Sequence, residues 1–402
     1  MTQERSLATD QLSLGDPGIR YPLWPPLTSG CPRTSTDDLA YPVEVDYAYD
    51  DVDRDALRRT QNGPGLDRWA PLLPPLTAPG LGEGGTPLID IGHDTYIKDE
   101  SRNPTWSHKD RLNRVTVSAA AGVGAPGVVV ASSGNHAASA AAYAARAGLR
   151  CVVLASAGMP PAVASFVAAY GAVLLPVPAE SRWPLMRRIV ERCGLHPVSN
   201  LTATHTGHGF GPEGYKTVAY EIFAELGAPA AVFAPVGYGE LLFGIWKGFA
   251  ELRRLGLADR VPRVFGCEPA VGGPLAAALR QGRPAARVEV GETDAYAIDT
   301  PVGGYRAVRA VKESGGEALL VGDGQMRAAQ RELAGQGMWA ELSSAAGLAG
   351  LRAYGEVEGP VVCVSTSSGF KDRGVASGSP EALDPSWEAV LPRLREAGIP
   401  GA

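Results

Sequence analysis

Between residues 115 and 175 short, wholly apolar runs alternate with alanine-rich stretches at nearly constant spacing. That alternation limits the possible fold more than any other feature of the chain. Gly127-Val128-Val129-Val130-Ala131, Cys151-Val152-Val153-Leu154 and Ala172-Val173-Leu174-Leu175 carry no polar face, the mark of strands buried on both sides. Alanine-rich helices are expected from 115 onward, through 147, and over 162–170. Such strands, alternating with helices, predict a parallel sheet covered on each side, an α/β fold. The unit returns later, with helices over 217–226, 241–255 and 326–336 and strands over 231–236, 264–267 and 361–365.

A Gly/His/Thr-rich loop over 202–214 divides the two α/β blocks. At 402 residues the chain exceeds what one core usually supports, so two domains are expected. We assign 116–209 to a small domain inserted in a large one made of 26–115 and 210–402. Residues 1–25, polar and then Pro-rich, read as an arm on the surface. A formal net charge of -6 with a pI near 5.6 argues against nucleic acid or an anionic membrane as partner. Five widely spaced cysteines without a Cys-x-x-Cys pair suit a reducing compartment, and neither a signal-peptide core nor a bilayer-length apolar run is seen. A cytoplasmic location is expected. The acidic run at 50–53 reads as a solvated turn, and His205-x-x-His208 lacks the companion ligands of a metal site, so no metal is expected.

Four stretches carry chemistry. Lys98-Asp99-Glu100-Ser101-Arg102-Asn103-Pro104-Thr105-Trp106-Ser107-His108-Lys109-Asp110-Arg111 joins an extended segment to a helix, where active sites of open α/β sheets collect. Ser132-Ser133-Gly134-Asn135-His136 follows a strand and opens a helix, so its backbone N–H groups can meet an anion; an ordinary helix cap would use the same residues. Pro235-Val236-Gly237-Tyr238-Gly239-Glu240-Leu241 repeats this geometry, with glycines that let the backbone wrap closely around a phosphate. Val364-Ser365-Thr366-Ser367-Ser368-Gly369-Phe370-Lys371-Asp372 ends the last core strand.

In this order the four resemble the motifs of the fold-type II pyridoxal phosphate (PLP) enzymes, and the chain is most similar to threonine synthase and its relatives. The resemblance implies two three-layer α/β domains with the cofactor in the cleft between them, and a homodimer. It implies that Lys109 forms the Schiff base with the cofactor and acts as the catalytic base. Asn135 would meet the ring hydroxyl, and Thr366 the pyridine nitrogen. Gly237, Tyr238, Gly239, Glu240 and Leu241 would hold the phosphate, and Ser132, Ser133, Gly134, His136, Trp106 and His108 would face the substrate. A hydroxyl beside the ring nitrogen, unlike a carboxylate, leaves it unprotonated, which suits elimination and replacement at Cβ or Cγ.

The departures bear on the substrate. Trp106 and His108 replace a small and an aromatic residue beside the lysine, and His136 stands where threonine synthases tend to carry threonine. Tyr238 and Glu240 interrupt a run with more glycine, and Ser367 replaces a glycine. In Gly211-Pro212-Glu213-Gly214-Tyr215-Lys216-Thr217, Gly211 occupies the place of an arginine that contacts the substrate phosphate. The expected activity is elimination or replacement on an amino acid with a leaving group at Cβ or Cγ. The alternatives are a threonine synthase on O-phosphohomoserine, a diaminopropionate ammonia-lyase or serine/threonine dehydratase, and a PLP-binding regulatory homologue without turnover.

Overall fold

The computed structural model describes residues 5–58, 65–372 and 382–400. Its largest sheet has six strands in the order Ala318–Val321, Arg263–Pro269, Ala231–Pro235, Val361–Ser365, Thr95–Asp99 and Leu88–Asp90. The first five are parallel and the edge strand Leu88–Asp90 runs antiparallel. A second, four-stranded parallel sheet orders Val173–Pro176, Arg150–Ala155, Gly127–Ala131 and His196–Pro197. Each central strand is apolar on both faces, and both sheets are covered by helices, as the alternation requires.

The chain leaves the large sheet after Thr95–Asp99, builds the small sheet, and returns at Ala231–Pro235. From there the large sheet grows outward until Val361–Ser365 inserts between the strand of departure and the strand of return. Three neighbouring strands therefore end side by side where the direction of winding changes, which is where a crevice opens in such sheets.

Several elements differ from the sequence-based expectation. Residues 8–22 do not lie as a bare arm: Ala8–Ser13 pairs with Arg20–Pro22 and Val43–Tyr47 in a three-stranded antiparallel sheet that buries Leu14 and Ile19. The helix expected from 217 begins six residues earlier, as Gly211–Leu226, because Pro212 in its first turn has no N–H to leave unsatisfied. Helices Arg182–Cys193, Pro274–Arg280, Tyr305–Ser314 and Ala346–Tyr354 have no counterpart among the expected elements, although Tyr305–Ser314 buries Ala307, Val308, Ala310 and Val311 at helical spacing.

Gly244 and Gly248 lie four residues apart on helix Glu240–Arg254, where any side chain would collide with Tyr215 and Lys216. That spacing brings the helix hard against Gly211–Leu226. The described residues up to Asp372 form one compact unit; those from 382 belong to another, in which Trp387–Glu396 is helical. The five cysteines are free thiols, and among the described residues no helix is long and apolar enough to cross a membrane.

Candidate active site

The three strand ends deliver three of the four motifs to one place. After Thr95–Asp99 the chain makes a short helical turn and an irregular loop, then starts helix Lys109–Gly122. That loop is stitched to the end of Val361–Ser365: His108 N donates to Thr366 O at 3.0 Å, and Ser368 N donates to Trp106 O at 3.2 Å. Most charged members of the motif hold this frame instead of facing the cleft. Arg111, fully buried, donates to both oxygens of Glu100 at 2.7 and 2.8 Å and to both of Glu221 at 2.7 Å. Lys98 pairs with Glu221 at 2.8 Å. Asp110 accepts from Thr105 and Ser139, and burial nevertheless pushes its pKa up to about 6.

Lys109 Nζ donates to Tyr215 Oη at 3.0 Å. Burial lowers the pKa of this amine, with Glu240 acting the other way, while burial raises the Tyr215 phenol far above its usual range, so Tyr215 stays neutral. His108 stacks on the Tyr215 ring at 5.4 Å and is held neutral, chiefly by burial. Tyr215 was not singled out in the sequence, although it stands inside the stretch where Gly211 drew attention.

Asn135 opens helix Asn135–Arg146 after the small-sheet strand Gly127–Ala131. Its Nδ2 donates to Glu341 Oε2 at 2.8 Å, and its Oδ1 accepts from Ser367 Oγ at 3.1 Å. Thr366 Oγ1 lies 2.8 Å from Ser344 Oγ, a neutral hydroxyl pair. Glu341 and Ser344, which the four motifs do not include, are thus bonded directly to the expected cofactor ligands. Among the substrate-facing candidates, Ser132 Oγ accepts from Gly134 N at 3.2 Å, and Ser133 Oγ accepts from Ser156 N at 2.7 Å and Arg182 Nη1 at 3.4 Å. His136 is neutral, its pKa lowered by burial to about 3, and its buried Nε2 has no hydrogen-bond partner. Trp106 adopts a left-handed φ of 62°, which an aromatic residue takes only under constraint. Its ring is 41% exposed and packs between Phe166 and Phe370.

The glycine loop turns through Gly239, whose φ of 85° and close approach to Ala307 leave no room for a side chain. Helix Glu240–Arg254 follows with no side-chain cap, so its first N–H groups remain available to an anion. Leu241 turns its side chain into the hydrophobic core and can offer only its backbone. Tyr238 stacks on His205 at 4.1 Å, which brings the loop over 202–214 against this one. Glu240 is buried, with Oε1 unpartnered and Oε2 3.9 Å from His205 Nε2. Thr300 Oγ1 and Arg306 Nε are also buried without partners.

Buried polar atoms are ordinarily paired. The clustering of unpaired ones around this loop, with an uncapped helix start, a half-buried amine, an amide and a neutral hydroxyl pair, fits the donor set of the cofactor that the resemblance implies. Among the described residues no group of three His, Cys, Asp or Glu side chains forms a metal site.

The comparisons with known proteins agree. The family model described as pyridoxal-phosphate dependent enzyme matches residues 80–368. The chain is 33% identical to a threonine synthase of Methanosarcina acetivorans, covering 82% of this chain and 86% of that protein. It is 34% identical to a threonine synthase of Mycobacterium tuberculosis, covering 82% of this chain and 92% of that protein. Among solved structures it resembles the processed form of threonine deaminase isoform 2 from Solanum lycopersicum, with a TM-score of 0.61 and 22% identity over 70% of this chain and 83% of that one. With the model covering most of the chain and full-length relatives above 30% identity, this chain belongs to the pyridoxal-phosphate dependent enzymes of fold type II.

Proposed function

We propose that the protein eliminates or replaces a leaving group at Cβ or Cγ of an α-amino acid, with Lys109 as the residue that holds the cofactor and moves the Cα proton. The observation that carries the reading is the half-buried Lys109 amine, lowered in pKa and aimed at the neutral phenol of Tyr215 3.0 Å away. When bound, PLP supplies an electrophilic carbon that captures an amino group and a ring that accepts electron density from Cα. Tyr215 accepts one N–H of Lys109 and fixes the direction of its lone pair. Asn135, oriented by Glu341 and Ser367, offers an amide to the ring hydroxyl, and the Thr366–Ser344 pair offers the ring nitrogen a neutral partner. The helix start after Gly239 receives the phosphate through backbone N–H groups, and Ser132, Ser133, Gly134, His136, Trp106 and His108 surround the substrate.

The relatives named threonine synthase favour O-phosphohomoserine as substrate. Against it stands Gly211, which lies inside the packing: a Cβ there would be 3.3 Å from Leu112 and Thr116, so no arginine side chain serves that position. We therefore expect O-phosphohomoserine to be a poor substrate beside serine, threonine, diaminopropionate or O-acetylated amino acids. Each charge-assisted hydrogen bond missing from a phosphate typically costs roughly 1.5–3 kcal/mol. The reading further takes 116–209 as a small domain against 26–115 with 210–402, the site in their cleft, and the protein as a cytoplasmic homodimer. The separate four-stranded and six-stranded sheets support the division.

Borohydride reduction of the purified protein should fix the cofactor to Lys109, read by peptide mass, and amino-acid screening should release ammonia, a keto acid or a replacement product. A label at Lys109 with no turnover on any amino acid would instead favour a regulatory homologue. Efficient conversion of O-phosphohomoserine to threonine and phosphate would return the protein to threonine synthase.

A further inference from the structure

Glu240 places a carboxyl group where the glycine loop opens its helix, the position that the reading above gives to the cofactor phosphate. Two anions cannot share a buried site, so either a cation neutralises the carboxylate or a proton does. The surrounding groups decide between these. On helix Tyr305–Ser314, Arg306 spends Nη1 on Thr206 O and Nη2 on Val43 O, the latter at 2.5 Å, and leaves Nε without a partner. Lys109 directs Nζ to Tyr215, itself a neutral phenol. From the 202–214 loop His205 comes within 3.9 Å of Oε2, but its ring is stacked on Tyr238 and held neutral, chiefly by burial. Tyr238, in the same loop as Glu240, is a phenol raised to about 12. Among the described residues no lysine or arginine nitrogen pairs with this carboxyl, and Oε1 accepts nothing. Burial raises the pKa of Glu240, with Arg306 and Lys109 opposing.

Gly207, at φ 59°, leaves open the space that Oε1 occupies: a Cβ there would overlap it, so the segment before helix Gly211–Leu226 lies directly against the carboxyl group.

We propose that Glu240 is a phosphate-binding residue that acts in its protonated form, its carboxylic O–H donating to the cofactor phosphate and so making cofactor capture proton-linked at this loop. The inference rests on the reading that the loop receives the phosphate. A neutral carboxyl replaces the backbone contacts that a glycine-richer loop would give.

The test is equilibrium binding to the apoprotein, by dialysis and by quenching of intrinsic fluorescence, of pyridoxal phosphate and of pyridoxal between pH 7 and 9. The phosphate's own second ionisation, near pH 6, is then complete. Pyridoxal carries the same aldehyde, so the ratio of the two dissociation constants removes the titration of Lys109 and isolates the phosphate. In the wild type this ratio should weaken by up to about tenfold per pH unit between the carboxyl pKa of the apoprotein and the higher one of the complex, where only the complex holds the proton. Glu240→Gln, which keeps a neutral donor, should bind pyridoxal phosphate with a ratio independent of pH. Glu240→Asp should keep the slope and lose affinity, because the shorter side chain cannot reach. The phosphorus-31 resonance of the bound phosphate should change with pH in the wild type and stay fixed in Glu240→Gln.

A wild-type ratio that is flat, or a Glu240→Gln slope equal to that of the wild type, overturns the role of Glu240 while leaving the cofactor reading intact. A wild type that binds pyridoxal as tightly as pyridoxal phosphate at every pH overturns both, since the loop would then receive no phosphate.

Discussion

The two ends of the site are built on different terms. At the ring end Asn135, Ser367, Glu341, Thr366 and Ser344 bond to one another, so their side chains are oriented before any ligand arrives. At the loop end Glu240, Thr300 and Arg306 each bury a polar atom without a partner, and the histidines behind them are neutral. The ring end is paired except for Glu341 Oε1, which is buried without a partner, whereas the loop end waits for its partner at three residues. An enzyme needs the first to aim the reacting atoms, whereas the second can gain its missing hydrogen bonds from the ligand and convert them into affinity.

The largest effect should come from the lysine that lies between the two ends. Lys109→Ala should reduce kcat by roughly 10³-fold or more, since it removes the proposed proton-transferring group. Tyr215→Phe should keep the cofactor attached and lose about tenfold or less. Stopped-flow and steady-state assays on both variants measure this, and equal losses would deny Lys109 its separate role.

Gly214→Ala attacks the frame that both ends share. A Cβ at Gly214 would overlap the backbone carbonyl of Arg111, forcing helix Gly211–Leu226 away from helix Lys109–Gly122. We expect a loss of about 3 kcal/mol, read from urea unfolding, because backbone cannot yield as a flexible side chain can. An unchanged midpoint would show that the two helices can separate freely.

Breaking the pre-paired end should cost less. Asn135→Ala leaves the Glu341 carboxyl, already raised in pKa by burial, without its amide donor. An unsatisfied buried group typically costs about 1–3 kcal/mol, so cofactor affinity should fall by roughly ten- to a hundredfold. Restoring affinity with Asn135→Ala combined with Glu341→Gln would show that the penalty was the stranded charge. No restoration would assign the loss to the contact with the cofactor itself.

The smallest effect is a pH dependence confined to the loop end. Phe210 N donates to His208 Nδ1, so His208 Nε2 carries the proton and donates to His196 Nε2 at 2.8 Å. Burial lowers His196 to about 4. Between that value and the unfolded value of about 6.5, only the unfolded chain binds the proton, so stability falls as pH drops through this window. The contribution lost by pH 5.5 is about 1.4 kcal/mol. Asp110, raised by burial, titrates in the opposite sense, so the comparison must be between variants. His196→Gln should remove about that much of the acid sensitivity in urea midpoints at pH 7.5 and 5.5, apart from a constant offset. Parallel curves would show that His196 does not stay neutral in the fold.

Local chemistry announced the parallel sheets and the glycine turn before a helix, while the resemblance of four motifs brought forward Lys109, Asn135 and Thr366. Runs such as Val128-Val129-Val130 can be buried on both faces only inside a covered parallel sheet, and a glycine before a helix implies its own backbone geometry. The helical spacing of Ala307, Val308, Ala310 and Val311 could have marked Tyr305–Ser314, but no run of single residues could reveal that Tyr215, 106 positions from Lys109, would meet it at 3.0 Å. Glu341 and Ser344 reach Asn135 and Thr366 only because Val361–Ser365 inserts between two earlier strands, and Glu240 faces Gly207 only because two loops fold over one helix start. Local sequence encodes conformations that neighbours along the chain enforce. Which side chain is left buried and unpaired beside which other is a property of long-range packing, and the tertiary structure alone decided it.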